Sequence, residues 1–202
     1  MKHSSTRAVF AYWDERRGNR PAPTRANIDP VAIRHALGDT FMLSADFVDQ
    51  LRFRLAGTRV CALFCREVKG EIVAELWAEN SRKAIDEVLA IITTETEGVV
   101  AGLTGHAADG ASAELEMLLL PLALTGPGRT GLIGVLAPTT PTYWIGEKPI
   151  AEISLNTVRH LGAQSGNAAA PRLAPSADAG ELRHGFTVYT GGRAESSAER
   201  SA

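Results

Sequence analysis

The two cysteines are the first residues of this chain whose type and spacing invite chemistry. Cys61 and Cys65 stand four apart in "TRVCALFCRE" (58–67). On a helix that spacing puts both thiols on one face. Zinc asks for four Cys or His ligands, or three and a water. The sequence holds no further cysteine, and His35, His106 and His160 lie far apart along it. A metal site is therefore disfavoured. Packing inside a core is the ordinary use of such cysteines. A redox-responsive thiol needs an exposed, electropositive setting, and the neighbours Arg59 and Arg66 keep that alternative open.

His106 sits inside a predicted core strand and would ligate haem iron only by facing a cavity. A hydrogen-bonded or outward-facing histidine is the ordinary alternative. No Gly-x-Ser-x-Gly elbow and no His-Glu-x-x-His occurs. The glycine-rich turns "TGPGRT" and "YTGGR" lack the lysine and spacing of a phosphate loop. No set of residues supports catalysis, so the chain is expected not to be an enzyme.

Arginines form the other cluster. Residues 1–35 carry seven Lys and Arg against three Asp and Glu, while residues 66–97 carry four against eight. The first region could contact phosphates, or clamp the acidic stretch within the same chain. Pro21 and Pro23 stiffen the arginine loop, which favours the intramolecular clamp. The net charge of −2 over 202 residues argues against wholesale nucleic-acid binding. Two cysteines make no disulfide framework. No run is long and apolar enough to span a bilayer, and the N-terminus does not read as a signal peptide. A cytoplasmic location is expected.

These residues must be positioned by regular elements. Thr6 to Arg17 reads as a helix with Val9, Phe10 and Trp13 on one side, closed by Gly18. Asp29 and Pro30 open a short helix running to Leu37. Residues 40–47 and 51–56 read as a hairpin of strands joined by Val48-Asp49-Gln50. Residues 58–65 read as a short helix and Val73 to Trp77 as a turn. Ile85, Val88, Leu89 and Ile92 recur at helical spacing, with Asn80 or Ser81 as cap and Gly98 past the end. Strands follow. Asp109-Gly110 marks a hairpin, Glu114 and Glu116 alternate with Leu115, Met117 and Leu119, and "GLIGVLA" (131–137) is another strand. "PIAEISLNTVRHL" reads as one more strand, with a short helix as the alternative. From Gly162 the composition turns to Ala, Ser, Gly and Pro, which predicts a flexible linker. The island "HGFTVYTGGR" (184–193) reads as a short strand or docking peptide within that tail, or else as disordered chain with chance aromatics.

Two strands, short helices, one longer helix and a meander of three strands is the order of a PAS domain. The N-terminal residues carry the resemblance further. Trp13, Arg17-Gly18, Pro21 and Asp29-Pro30, then Arg54, Gly57, Arg66-Glu67 and Gly70, resemble a family of small PAS-like proteins common in alphaproteobacteria. One member type of that family is a regulator of cell cycle and stress. The likeness spans roughly residues 6–160. It departs at Cys65, where relatives tend to keep a glycine, and a left-handed backbone there is less comfortable for cysteine.

The resemblance implies an α+β fold, a PAS-like five-stranded antiparallel sheet with helices on one face and an N-terminal helical extension. The expected division is 1–38 for the extension and loop, 39–161 for the PAS-like domain and 162–202 for the tail. The elements that line a PAS cavity would contribute Phe53, Leu63, Phe64, Trp77, Ile85, Leu89, Leu103 and Met117. The alternative is that these side chains simply fill the core. Phe10, Trp13, Arg16 and Arg17 would form the partner or dimer surface. The implied role is a sensory or signalling adaptor acting through protein–protein contact. Its partners would be a histidine kinase, a response regulator or a second copy. No cofactor is assigned, although a small ligand has room on fold grounds. Alternatives are a haem- or flavin-loaded sensor and a nucleic-acid-associated regulator.

Overall fold

A computed structural model of the chain describes residues 1–45, 50–123 and 130–161, with the backbone of two short strands beyond them. The elements are α1 (Ser4–Arg17), β1 (Thr40–Ala45), β2 (Leu51–Ala56), α2 (Thr58–Phe64), α3 (Glu79–Glu95), β3 (Gly98–Ala107), β4 (Ser112–Ala123), β5 (Thr130–Pro138), β6 (Ile150–Leu161), β7 (Glu181–Arg183) and β8 (Phe186–Val188). The linker Val48-Asp49-Gln50 is described only at Gln50. The expected flexible linker from Gly162, and the ends of the 184–193 segment, also lie outside the described residues.

The strands form one sheet in the order β2-β1-β5-β4-β3-β6-β8-β7. Pairing is antiparallel except between β6 and β8. The first five strands make the expected sheet, and β6 extends it along the edge of β3. Pro121 in β4 lies past the last β3 partner, Leu119, and pairs only with Leu132 of β5. A missing N–H is tolerated there.

Alternation along the strands builds two cores. On the inner face Phe41, Leu43, Leu103, Leu115, Met117 and Leu119 meet Val60, Leu63 and Phe64 of α2 and Ile85, Val88, Leu89 and Ile92 of α3. On the outer face Val100, Leu118, Leu120, Leu122, Ile133 and Val135 meet Val9, Tyr12 and Trp13 of α1, with Ala22, Ile33 and Ala36 behind it. Both faces of β4 are therefore covered, which is why its sequence is apolar nearly throughout. Helices α2 and α3 share one face as expected, and the N-terminal extension α1 takes the opposite one.

Two local expectations change. The segment opened by Asp29-Pro30 is a string of tight turns, with i→i+3 bonds from Ala32, Ile33, Arg34 and Ala36, ending in a single 3-10 turn at Leu37–Asp39. So few residues cannot sustain a helix on their own. The cap of α3 is Ala78, not Asn80 or Ser81. The Ser81 hydroxyl instead accepts the Leu155 N–H at 3.1 Å, tying α3 to β6. The end of α3 is capped by Thr96, left-handed at φ 56°, and Gly98 lies past it as expected.

Gly57 marks the closest approach of chain segments. A Cβ there would stand 2.0 Å from the Leu37 carbonyl oxygen and 2.4 Å from that of Gly38. The Gly57 N–H donates to the Thr40 carbonyl at 2.8 Å. The start of α2 is thus pressed against the chain entering β1, and only glycine fits.

Candidate functional site

Space in the PAS-like interior was the leading candidate. Phe53, Trp77, Ile85 and Met117 do converge, with Phe41, Leu43, Leu136 and Ile153, around an interior cavity. Its volume is only about 20 Å³, room for one water and no more. Leu63, Phe64 and Leu103 line no part of it and are buried in the packed core. The side chains expected to line a cavity mostly fill it.

The larger space is elsewhere. A half-open cleft of about 510 Å³ lies between α3, the Val73–Leu76 turn and the β1–β2 edge. It is lined by Ala45, Gln50, Leu51, Ile72, Val73, Ala74, Asp86, Leu89, Ala90 and Thr93. Leu89 is the one predicted cavity residue that reaches it. The lining mixes aliphatic groups with one carboxylate, one amide and one hydroxyl. Small-molecule sites combine apolar groups with a few polar ones that orient a ligand, and this lining carries both kinds.

The predicted surface residues part company. Trp13 is buried, and its indole N–H donates to the Pro121 carbonyl at 2.8 Å. It is a core residue of the chain's own outer layer, so it is withdrawn from the interaction surface. Phe10 is half-buried beside it, with ring centroids 6.4 Å apart. Arg16 stands over the Tyr12 ring at 5.1 Å and Arg17 over the Trp13 ring at 5.3 Å. Arg17 also pairs with Asp14 at 2.6 Å. These cations bind their own helix. The expected clamp onto residues 66–97 does not form, because the two regions lie on opposite faces of the sheet. Pro21 is exposed, while Pro23 sits against β4, where the Ala123 N–H donates to the Pro23 carbonyl at 2.9 Å.

The cysteines separate as well. Cys61 is buried, with its thiol 3.6 Å from a Glu67 carboxylate oxygen. Burial pushes that thiol's pKa up, and Glu67 and Glu71 add to the rise against a backbone hydrogen bond at Val68. It stays protonated and unreactive at neutral pH. Cys65 is exposed, so the packing reading fails for it. It caps α2 in the left-handed conformation at φ 52°, ψ 27°, the backbone that the departure from glycine put in question. Arg59 and Arg66 do not serve a thiol. Arg59 grips Asp39 through two bonds of 2.6 and 2.7 Å. Arg66 grips Glu71 at 2.8 and 2.9 Å. Among the described residues no group of His, Cys, Asp and Glu gathers as a metal site. His106 faces away from the interior, with its Nε2 3.2 Å from the Ser154 hydroxyl.

Two buried carboxylates were missed from sequence. Glu116 accepts the backbone N–H of Lys2 at 2.6 Å and of His3 at 2.9 Å. Burial would raise its pKa, yet these two N–H groups and the nearby N-terminal charge hold it below the ordinary glutamate value. Asp39 accepts the Ser5 hydroxyl at 2.5 Å besides Arg59. Burial opposes its ionisation too, and the Arg59 and Ser5 bonds overcome that. Together they fasten the start of α1. The signal for Glu116 was a carboxylate on the same strand face as Leu118 and Leu120, an apolar face that had to be covered.

A family model described as "PAS domain" matches residues 1–137, from α1 through most of β5. The chain belongs to the PAS family. In this PAS chain β6, β7 and β8 lie beyond the matched region. Solved structures similar to it include the PAS domain of a protein from Colwellia psychrerythraea, at 14% identity and TM-score 0.40, over 55% of this chain and 97% of that one. The PAS domain of an HTR-like protein from Haloarcula marismortui has 17% identity and TM-score 0.39, over 54% and 90%. The LOV domain of the blue-light photoreceptor Aureochrome1, in its dark structure, has 13% identity and TM-score 0.42, over 57% and 83%. No curated protein matches the chain. PAS domains are sensory modules, and no enzymatic family is indicated. Haem or flavin needs a pocket on the order of 300 Å³ or more. The interior cavity of this PAS domain, at about 20 Å³, is smaller than that. No helix among the described residues is long and apolar enough to cross a membrane.

Proposed function

We propose that the chain is a PAS-type signalling adaptor that acts through protein–protein contact, of the small regulatory kind found in alphaproteobacteria. A small molecule, where one is sensed, enters the cleft beside α3 and not the interior. The observation that supports this reading is the division of space, about 510 Å³ in the cleft against about 20 Å³ inside. Binding at the cleft bears on α3 and on the Val73–Leu76 turn, which touch both the sheet and solvent. A ligand there would shift the balance between arrangements of those elements by its differential affinity for them. A histidine kinase or response regulator reading those elements, a second copy of the chain and a cytoplasmic setting belong to the same proposal.

Native mass spectrometry of the protein purified from its own host tests it. The expected result is a bound mass on the wild type that is missing from Ala90→Trp, which fills the cleft from an exposed helix position. Visible absorbance retained by Ala90→Trp would place a chromophore in the interior and overturn the reading. Light scattering on the same sample reports whether copies associate.

A further inference from the structure

The island "HGFTVYTGGR" (184–193) is the sequence feature that the PAS reading leaves without a use. Its residues Phe186–Val188 form β8. This strand pairs antiparallel with β7 and meets β6 in parallel at Val158↔Val188. The outer edge of β6 is divided. Toward its start the PAS body covers it: the Ala78 N–H donates to the Ile153 carbonyl at 2.9 Å, and the Leu155 N–H to the Ser81 hydroxyl. At Val158 the neighbour is the tail strand.

An open strand edge is a template for a further extended chain. A peptide adds there through main-chain bonds, with alternate side chains giving selectivity. The resident strand holds on by little. It is three residues long and registers with β6 at one pair. It also pairs with β7, equally short, and a two-stranded hairpin is marginal alone. The connecting sequence 162–180 is rich in Ala, Ser, Gly and Pro, a composition that offers little apolar surface to bury. A random coil of that many residues spans roughly 25 Å on average. It keeps the strand at an effective concentration on the order of millimolar. A weak contact is then occupied and still exchangeable.

We propose that the C-terminal half of β6 is a strand-addition site whose resident is this chain's own 181–188 segment, docked reversibly in cis. The site accepts the same segment from solution once the resident strand leaves.

The test uses the full chain and a fluorescent synthetic peptide of residues 181–190. Val188→Pro places proline, which disfavours strand pairing, at the β8 residue in register with Val158, and it lies outside the region matched by the family. The variant is expected to bind the peptide about tenfold more tightly than the wild type does, because the tethered competitor is lost. Its amides at 157–161 exchange with solvent faster in the absence of peptide. A second full-length variant, with Phe186, Thr187 and Val188 all changed to Gly, should behave alike. Equal affinity for wild type and both variants, no binding to any of them, or unchanged exchange at 157–161 overturns the proposal. So does a wild type that is dimeric while both variants are monomeric, since the strand would then cross between copies.

Discussion

At the scale of the residue, Cys65 is the plainest case of type against backbone. A left-handed conformation costs a non-glycine residue about 1–2 kcal/mol. Glycine removes that strain but gives back part of it through a freer unfolded chain. Cys65→Gly is expected to stabilise the protein by about 1 kcal/mol, read as a raised unfolding midpoint in denaturant. An unchanged or lowered midpoint would mean that the thiol side chain holds the cap. Glu116 gives a prediction in pH. Its carboxyl is held low in the fold, so it stays ionised there at pH values where the unfolded chain would protonate it. The stabilisation is whole above the ordinary carboxylate range near pH 4. It drains away as pH falls through the lower folded value. Asp39 has the same sign. Glu116→Gln should cost about 1–3 kcal/mol near neutral pH and flatten the fall in stability below pH 4. A variant whose acid profile overlays the wild type's would remove Glu116 from that role.

At the scale of the element, α1 is the decisive piece. Its apolar side was legible from Val9, Phe10 and Trp13, since helical spacing puts them together. What that side covers was not legible. An apolar helix face reads the same whether it meets a partner or the chain's own sheet. The structure gives it to β4 and β5, with Trp13 bonded to the Pro121 carbonyl. Trp13→Ala is therefore expected to destabilise the folded chain itself by about 3–5 kcal/mol. Thermal unfolding checks this, and a full-stability variant that merely changed association would return Trp13 to the surface. The bounds of strand β2 and the face of α3 were read correctly, the latter because its period of 3.6 is a local property. The cap of α3 was misread because Ser81 has a tertiary use, receiving the Leu155 N–H. Asn and Ser near a helix start look alike in sequence whether they cap or brace.

At the scale of the whole molecule, the sheet is sealed on both sides. The inner layer is α2 and α3, and the outer layer is α1 with the segment that follows it. Removing residues 1–17 would uncover Leu118, Leu120, Ile133 and Val135 at once. A truncated chain is expected to self-associate and to bind an apolar dye strongly, since a contiguous apolar patch of that kind rarely stays in water. A monodisperse truncation with no added dye signal would show that the outer layer is dispensable.

The sequence by itself determined the order and type of the elements, the turn at Asp109-Gly110 and the unusual cysteine at position 65. These follow from periodicity, from turn chemistry and from one backbone preference, all of which act within a few residues. The tertiary structure alone decided that α1 lies across the outer face, that Glu116 and Asp39 fasten it, and that open space sits beside α3 while the interior is full. Those outcomes depend on which surfaces meet and on how volumes add up among side chains distant in sequence. Local pattern cannot count that volume: Phe53, Trp77, Ile85 and Met117 look the same lining a ligand site as they do closing a space of about 20 Å³.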